Sequence, residues 1–229
     1  MERVLKRTRR SLGPCAVIAV LVVCSASASA NLVLNGSFED NLATTTHYNM
    51  SNAFAESIMI NMTSFGTPGE LDLMMNGSNT YGVPTTDGDF KMGLSVTDAL
   101  GLRLSATVQA GQTYNLRFKA HAPQDFSAGT GPVLIGIGSA NSFGTTIFST
   151  GDELSTNSWD SFNATIVAPV AGNYLTVKTS GSTWAHVDMF SFTEAVPEPA
   201  SLLAVGAGIA GLASSARSRR ARKAAAANQ

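Results

Sequence analysis

From residue 102 onward, hydrophobic and polar positions alternate in short runs. In 113–119, Tyr114, Leu116 and Phe118 point one way while Asn115, Arg117 and Lys119 point the other, the period-two signature of a strand with one buried face. Phe162, Ala164, Ile166 and Ala168 repeat it, and Leu175 and Val177 continue it. Residues 102–108, 133–137, 145–148 and 184–192 complete a series of short strands, with turn signals at Asp87-Gly88, Ala110-Gly111 and Ala171-Gly172. No segment between Asn31 and Ala195 carries a sustained apolar stripe at 3.6-residue spacing. The pattern predicts an all-β fold, an antiparallel β-sandwich.

Both ends of the chain break the alternation. Residues 1–30 begin with Arg3, Lys6, Arg7, Arg9 and Arg10, continue with an apolar stretch from Leu12 to Cys24, and end in Ala28-Ser29-Ala30. That layout predicts a secretory signal helix, with small residues at Ala28 and Ala30 directing cleavage before Asn31. Sec export and a signal peptidase are the implied partners. Leu21-Val22-Val23-Cys24 nearly fits a lipidation signal, but Val23 stands where a small residue is wanted, so ordinary cleavage is expected. Residues 196–229 open with Val196-Pro197-Glu198-Pro199, where two prolines remove backbone donors and stop sheet and helix alike. An apolar run of about 14 residues follows, Ala200 to Ala213, shorter than the roughly 20 of a stable membrane span. The basic cluster Arg217, Arg219, Arg220, Arg222 and Lys223 then favours the cytoplasmic side. Such a tail predicts transient insertion, with the body held outside.

The stretch from Val196 to Lys223 resembles the PEP-CTERM sorting signals of bacteria that secrete exopolysaccharide. The resemblance implies recognition by an exosortase, removal of the tail, and a final place at the cell surface or in the extracellular matrix. The extension from Ala224 to Gln229 departs from that pattern.

Between the two signals, 31–195 is long enough for one domain with its own core. It contains five basic and fourteen acidic residues, a net charge of −9 that the near-neutral whole chain conceals. So acidic a body disfavours nucleic acid as a partner. Cys15 and Cys24 both lie in the leader, leaving the body without thiols or disulfides.

Asn31-Leu32-Val33-Leu34-Asn35-Gly36-Ser37-Phe38-Glu39 and His186-Val187-Asp188-Met189-Phe190-Ser191-Phe192 resemble the first and last strands of galactose-binding-like jelly rolls, a group that includes carbohydrate-binding modules. Residues 102–118 resemble that group's strand pair joined by an Ala-Gly turn. The resemblance implies a structural calcium where the first and last strands meet, at Glu39 and Asp188, with Asp40 as a further oxygen ligand. It also implies a saccharide partner, for which aromatic faces stack on sugar rings. Tyr81, in a polar loop, and Trp184 are the candidate platforms, whereas Trp159 is expected in the core.

His186 and Asp188 share one face of a strand, a spacing suited to a transition-metal or acid–base site, although a solvated strand pair is the plainer expectation. Neither a Gly-x-Ser-x-Gly elbow, nor His-Glu-x-x-His, nor a P-loop occurs. Asp87 with Asp89, and Asp152 with Glu153, are explained by turns as well as by glycoside hydrolysis. Gly206-Ala207-Gly208-Ile209-Ala210-Gly211 matches a dinucleotide fingerprint as a string, but no acidic residue follows it and it lies inside the apolar tail. The expectation is a non-enzymatic exported protein that associates with exopolysaccharide or the cell envelope. A purely structural matrix component and a secreted carbohydrate-active hydrolase are the alternatives.

Overall fold

The computed structural model describes residues 29–66, 71–77, 83–95, 97–123, 131–151, 153–180 and 184–195. The signal helix, Tyr81, Asp152 and the tail from Val196 onward lie outside the described residues. In chain order the elements are β1 (His47–Met50), α1 (Asn52–Ile58), β2 (Met62–Gly66), β3 (Leu71–Met75), β4 (Phe90–Leu94), β5 (Asp98–Val108), β6 (Thr113–His121), β7 (Val133–Gly138), β8 (Thr145–Ser149), β9 (Asp160–Val167), β10 (Gly172–Thr179) and β11 (Ala185–Glu194). Every ladder is antiparallel, in two sheets ordered β1-β3-β4-β11-β6-β9 and β2-β5-β10-β7-β8. The expected sandwich is present.

The core lies where the inward positions of the two sheets meet. Leu116, Phe118, Val187, Phe190 and Phe192 come from the six-stranded sheet, and Leu100, Leu102, Ile135, Leu175 and Val177 from the five-stranded one. Phe118 stacks between Phe190 at 5.2 Å and Phe162 at 5.0 Å, and Tyr114 stacks on Phe192 at 4.9 Å. Such offset pairs add to the area that aromatic residues remove from water. Residues 31–34 then stitch the layers together. The Leu32 amide donates to Phe192 O at 2.8 Å on one sheet, and the Leu34 amide donates to Arg103 O at 3.1 Å on the other.

β11 carries a bulge between Asp188 and Ser191, with Met189 in the left-handed region at φ 58°. The extra residue keeps Val187, Phe190 and Phe192 inward while His186, Asp188, Ser191 and Thr193 occupy outward positions. The helix α1 is capped by Ser51, whose Oγ accepts from the Phe54 amide at 3.3 Å, and only Ala55 is buried. One buried position in seven residues leaves no apolar stripe, so the alternation gave no sign of these roughly two turns of helix.

Candidate functional site

The outward face of the six-stranded sheet holds the chemistry. Antiparallel register sets its residues in cross-strand rows. One row runs Asp72, Gly93, His186, His121 and Trp159. The next runs Met74, Lys91, Asp188, Lys119 and Ser161, and beyond the bulge come Ser191, Arg117 and Asn163, then Thr193, Asn115 and Thr165.

A strap, residues 83–88, leads into β4 and covers Lys91, His121, His186 and Asp188 of the first two rows, while Lys119 and Ser161 stay outside it. Four side chains hold the chain here. Lys91 Nζ donates to Val83 O at 2.6 Å and Trp159 Nε1 to Pro84 O at 2.7 Å. Asp188 Oδ2 accepts from the Thr86 amide at 3.3 Å and the Thr86 hydroxyl at 3.2 Å. Glu39 Oε1 accepts from the Asp89 and Phe90 amides at 2.9 and 2.7 Å. A Cβ on Gly88, which sits at φ 66°, would come within 2.3 Å of Glu39 Cδ, so this turn needs glycine twice over.

Under the strap, Lys91, His121, His186 and Asp188 are each at most 1% exposed. Ala122 O, an acceptor only, lies 2.9 Å from His121 Nδ1, which therefore carries the proton. His121 Nε2 is left as an acceptor for His186 Nδ1 at 3.0 Å and Lys91 Nζ at 3.4 Å. Burial moves all four groups toward their neutral forms. His121 is pushed down to about 4, His186 well below its usual value, and Lys91 down to about 8 despite the opposing charge of Asp188. Asp188 is pushed up to about 7 by burial, against its hydrogen bonds from Met189 and Thr86. The expectation of a solvated His186–Asp188 pair is thus corrected: they do share a face, but the strap seals it.

The calcium expectation meets a different geometry. Glu39 and Asp188 are both committed to protein donors on or beside the strap, while Asp40 Oδ2 lies 3.5 Å from Asn61 Nδ2. Among the described residues no three His, Cys, Asp or Glu side chains gather as a metal cage. Asp188 Oδ1 is also taken, by the Met189 amide at 2.7 Å.

The remaining rows are open. Asn115, Arg117, Asn163 and Thr165, with the backbone of Leu116 and Ala164, line a depression of about 450 Å³, and Arg117 with Asn163 continues it toward Lys119, Ser161 and Met189. Thr165 Oγ1 donates to Asn115 Oδ1 at 3.0 Å, leaving the Asn115 amide nitrogen as a donor. Trp159 stands at the β9 end of the first row, beside the strap and edge-on to His121 at 4.3 Å. It is half-buried on the outward face and not part of the core, which corrects the expectation for it. Trp184, also half-buried, precedes Ala185 at the opposite end of β11 from this groove. The groove is built from residues that the alternation turned outward but that no motif marked.

β11 ends at Glu194, and the Ala195 amide still donates to Thr113 O at 2.9 Å. A family model described as the PEP-CTERM protein-sorting motif matches residues 195–220. The chain carries a PEP-CTERM sorting motif. That motif indicates export and handling by an exosortase, and it begins where the sandwich ends. Among the described residues no helix is long and apolar enough to cross a membrane, and the apolar run expected at 200–213 lies outside them. No curated protein matches this PEP-CTERM chain. Among solved structures it is similar to an arabinose-bound GH51 α-L-arabinofuranosidase, at 14% identity and a TM-score of 0.49 over 72% of this chain and 26% of that one. The PEP-CTERM chain thus spans about a quarter of that enzyme's length. It is also similar to the CBM22-1 xylan-binding domain of Paenibacillus barcinonensis Xyn10C, at 9% identity and a TM-score of 0.44 over 74% and 100%. A third likeness is to TmCBM61 in complex with β-1,4-galactotriose, at 16% identity and a TM-score of 0.39 over 73% and 100%.

Proposed function

We propose that this PEP-CTERM protein is a non-enzymatic surface domain that holds an extracellular polysaccharide along the open half of its six-stranded sheet. The observation that carries this reading is the groove itself. Asn115, Asn163, Thr165 and Ser161 offer amides and hydroxyls at fixed strand spacing, and a sugar chain presents hydroxyls at intervals along its length. Trp159 supplies an apolar face at one end of the row. The export route supports it, since the Sec translocon, a signal peptidase and an exosortase would deliver the sandwich to where such polymers lie. The covered Lys91, His121, His186 and Asp188 cluster serves to hold the strap and touches no open surface, which favours binding over catalysis.

The test is affinity electrophoresis of the full chain, kept in mild detergent, through gels containing neutral or acidic polysaccharides. Retardation by at least one polymer, lost in Asn163→Ala, is expected. No retardation by any polymer would sink the reading in favour of a structural matrix component, and shortening of the polymer would favour the hydrolase.

A further inference from the structure

Resting on that reading, we infer that the groove selects a carboxylate-bearing polysaccharide, a uronate polymer, through Arg117 and Lys119. The argument begins with how few cations the body has. Its five basic residues are Lys91, Arg103, Arg117, Lys119 and Lys178, against fourteen acidic ones. Lys91 is sealed beneath the strap. Arg103 and Lys178 belong to β5 and β10 of the other sheet, and the Lys178 ammonium lies 4.5 Å from the centre of the Phe143 ring.

Only Arg117 and Lys119 remain on the outward face of the six-stranded sheet, two residues apart on β6 and so pointing the same way. Among the described residues no acidic side chain lines the groove that they share with Asn115, Ser161, Asn163 and Thr165. Asp188, the carboxylate beside Lys119 in the ladder, is fully buried with its oxygens engaged by Thr86 and the Met189 amide. Neither Arg117 nor Lys119 makes a side-chain hydrogen bond or ion pair among the described residues.

A domain of net charge −9 repels anions over most of its surface, so a paired-cation groove free of carboxylates is the one place on this face where an acidic polymer gains attraction. The guanidinium fork matches a carboxylate with two parallel hydrogen bonds, and charge-assisted bonds of that kind are about twice as strong as neutral ones. Asn163 and Thr165 then read the hydroxyls of the same ring. The adjoining depression, which meets the groove at Ser161 and Phe162 and is lined by Glu153 and Asp160, has the opposite charge and takes no part.

The experiment measures affinity of the full chain in mild detergent for polygalacturonate and alginate, and for the same polymers after reduction of their carboxyl groups to alcohols. Tighter binding of the intact polyuronates, by about tenfold or more, is expected. Arg117→Ala and Lys119→Ala should each remove most of that preference, Glu153→Ala none of it, and all three should melt within a few degrees of the parent. Equal binding of intact and reduced polymers, lost in Asn163→Ala, would overturn the carboxylate selection while leaving the groove in place. Binding to none of them would overturn both. Equally tight binding of dextran sulfate or DNA would reduce the effect to bulk charge and overturn the assignment of a uronate.

Discussion

The two halves of one sheet face differ in almost everything except their register. Both are outward rows on β11, β6 and β9, and both are polar. In the covered half, Lys91, His121, His186 and Asp188 lie under the strap and are pressed toward neutrality. In the open half, Arg117 is exposed and the amides and hydroxyls around it face a groove. Polarity opposite a core therefore has two meanings in this fold, a sealed network that holds a loop and a surface left for a partner, and the strap alone decides which.

Removing a member of the sealed network tests this contrast most severely. His121→Ala leaves a cavity, orphans Ala122 O and His186 Nδ1, and leaves Lys91 Nζ with Val83 O alone, so urea unfolding should show a loss of roughly 3–5 kcal/mol. A loss under about 1 kcal/mol would mean that the covered half matters no more than the open one.

The pH dependence of Asp188→Asn sharpens it next. Asp188 titrates near 3.8 when unfolded and near 7 when folded, so the folded state binds its proton more tightly. Its contribution to stability is present at low pH and fades as pH rises from about 4 to about 7. Asp72, raised to about 6, adds to this slope, while His121, lowered to about 4, and His186, lowered well below its usual value, oppose it below 6.5, so the parent's profile is flattened by opposed contributions. The Asn variant removes the Asp188 contribution alone. Its stability relative to the parent should climb with pH across that window, by up to roughly 4 kcal/mol. A constant difference between the two proteins from pH 4 to 7 would contradict the sealed environment.

A smaller effect is expected at Gly93, where a Cβ would lie 2.9 Å from Met74 Cε, 3.1 Å from Asp72 Cβ and 3.4 Å from His186 Cδ2. Gly93→Ala should cost roughly 1–3 kcal/mol through crowding of the covered rows, with faster hydrogen exchange in 83–90 as its local sign. Arg117→Ala should be the mildest, within about 0.5 kcal/mol of the parent, because the open half stabilises nothing.

The alternation made β6, β9 and β11 legible, and with them the facts that Arg117 and Lys119 look outward and that His186 and Asp188 share a face. It failed where both faces are buried. β4 is buried at every position and β3 at four of five, so neither alternates, and both strands escaped notice. The burial of His186 was equally hidden, because period two says only that a residue faces away from the core. Its neighbour Asp188 is held by Thr86, about a hundred residues earlier in the chain. Trp159 misled through its size: parity with Ser161 and Asn163 places it outward, and residue type argued the reverse. The groove escaped for a simpler reason, since Asn, Thr and Ser are so common here that no string of them stands out.

The hydrogen bond from Ala195 to Thr113 has a mechanical side. While the tail holds the protein in a membrane, any pull on a gripped polymer enters through β6 and β9 and leaves through the end of β11. β6 and β11 are direct neighbours, paired from His186–His121 to Glu194–Tyr114, and β11 is interior to its sheet. The load crosses one ladder lengthwise, sharing its strain among many bonds at once, and bypasses the strap, α1 and the whole second sheet.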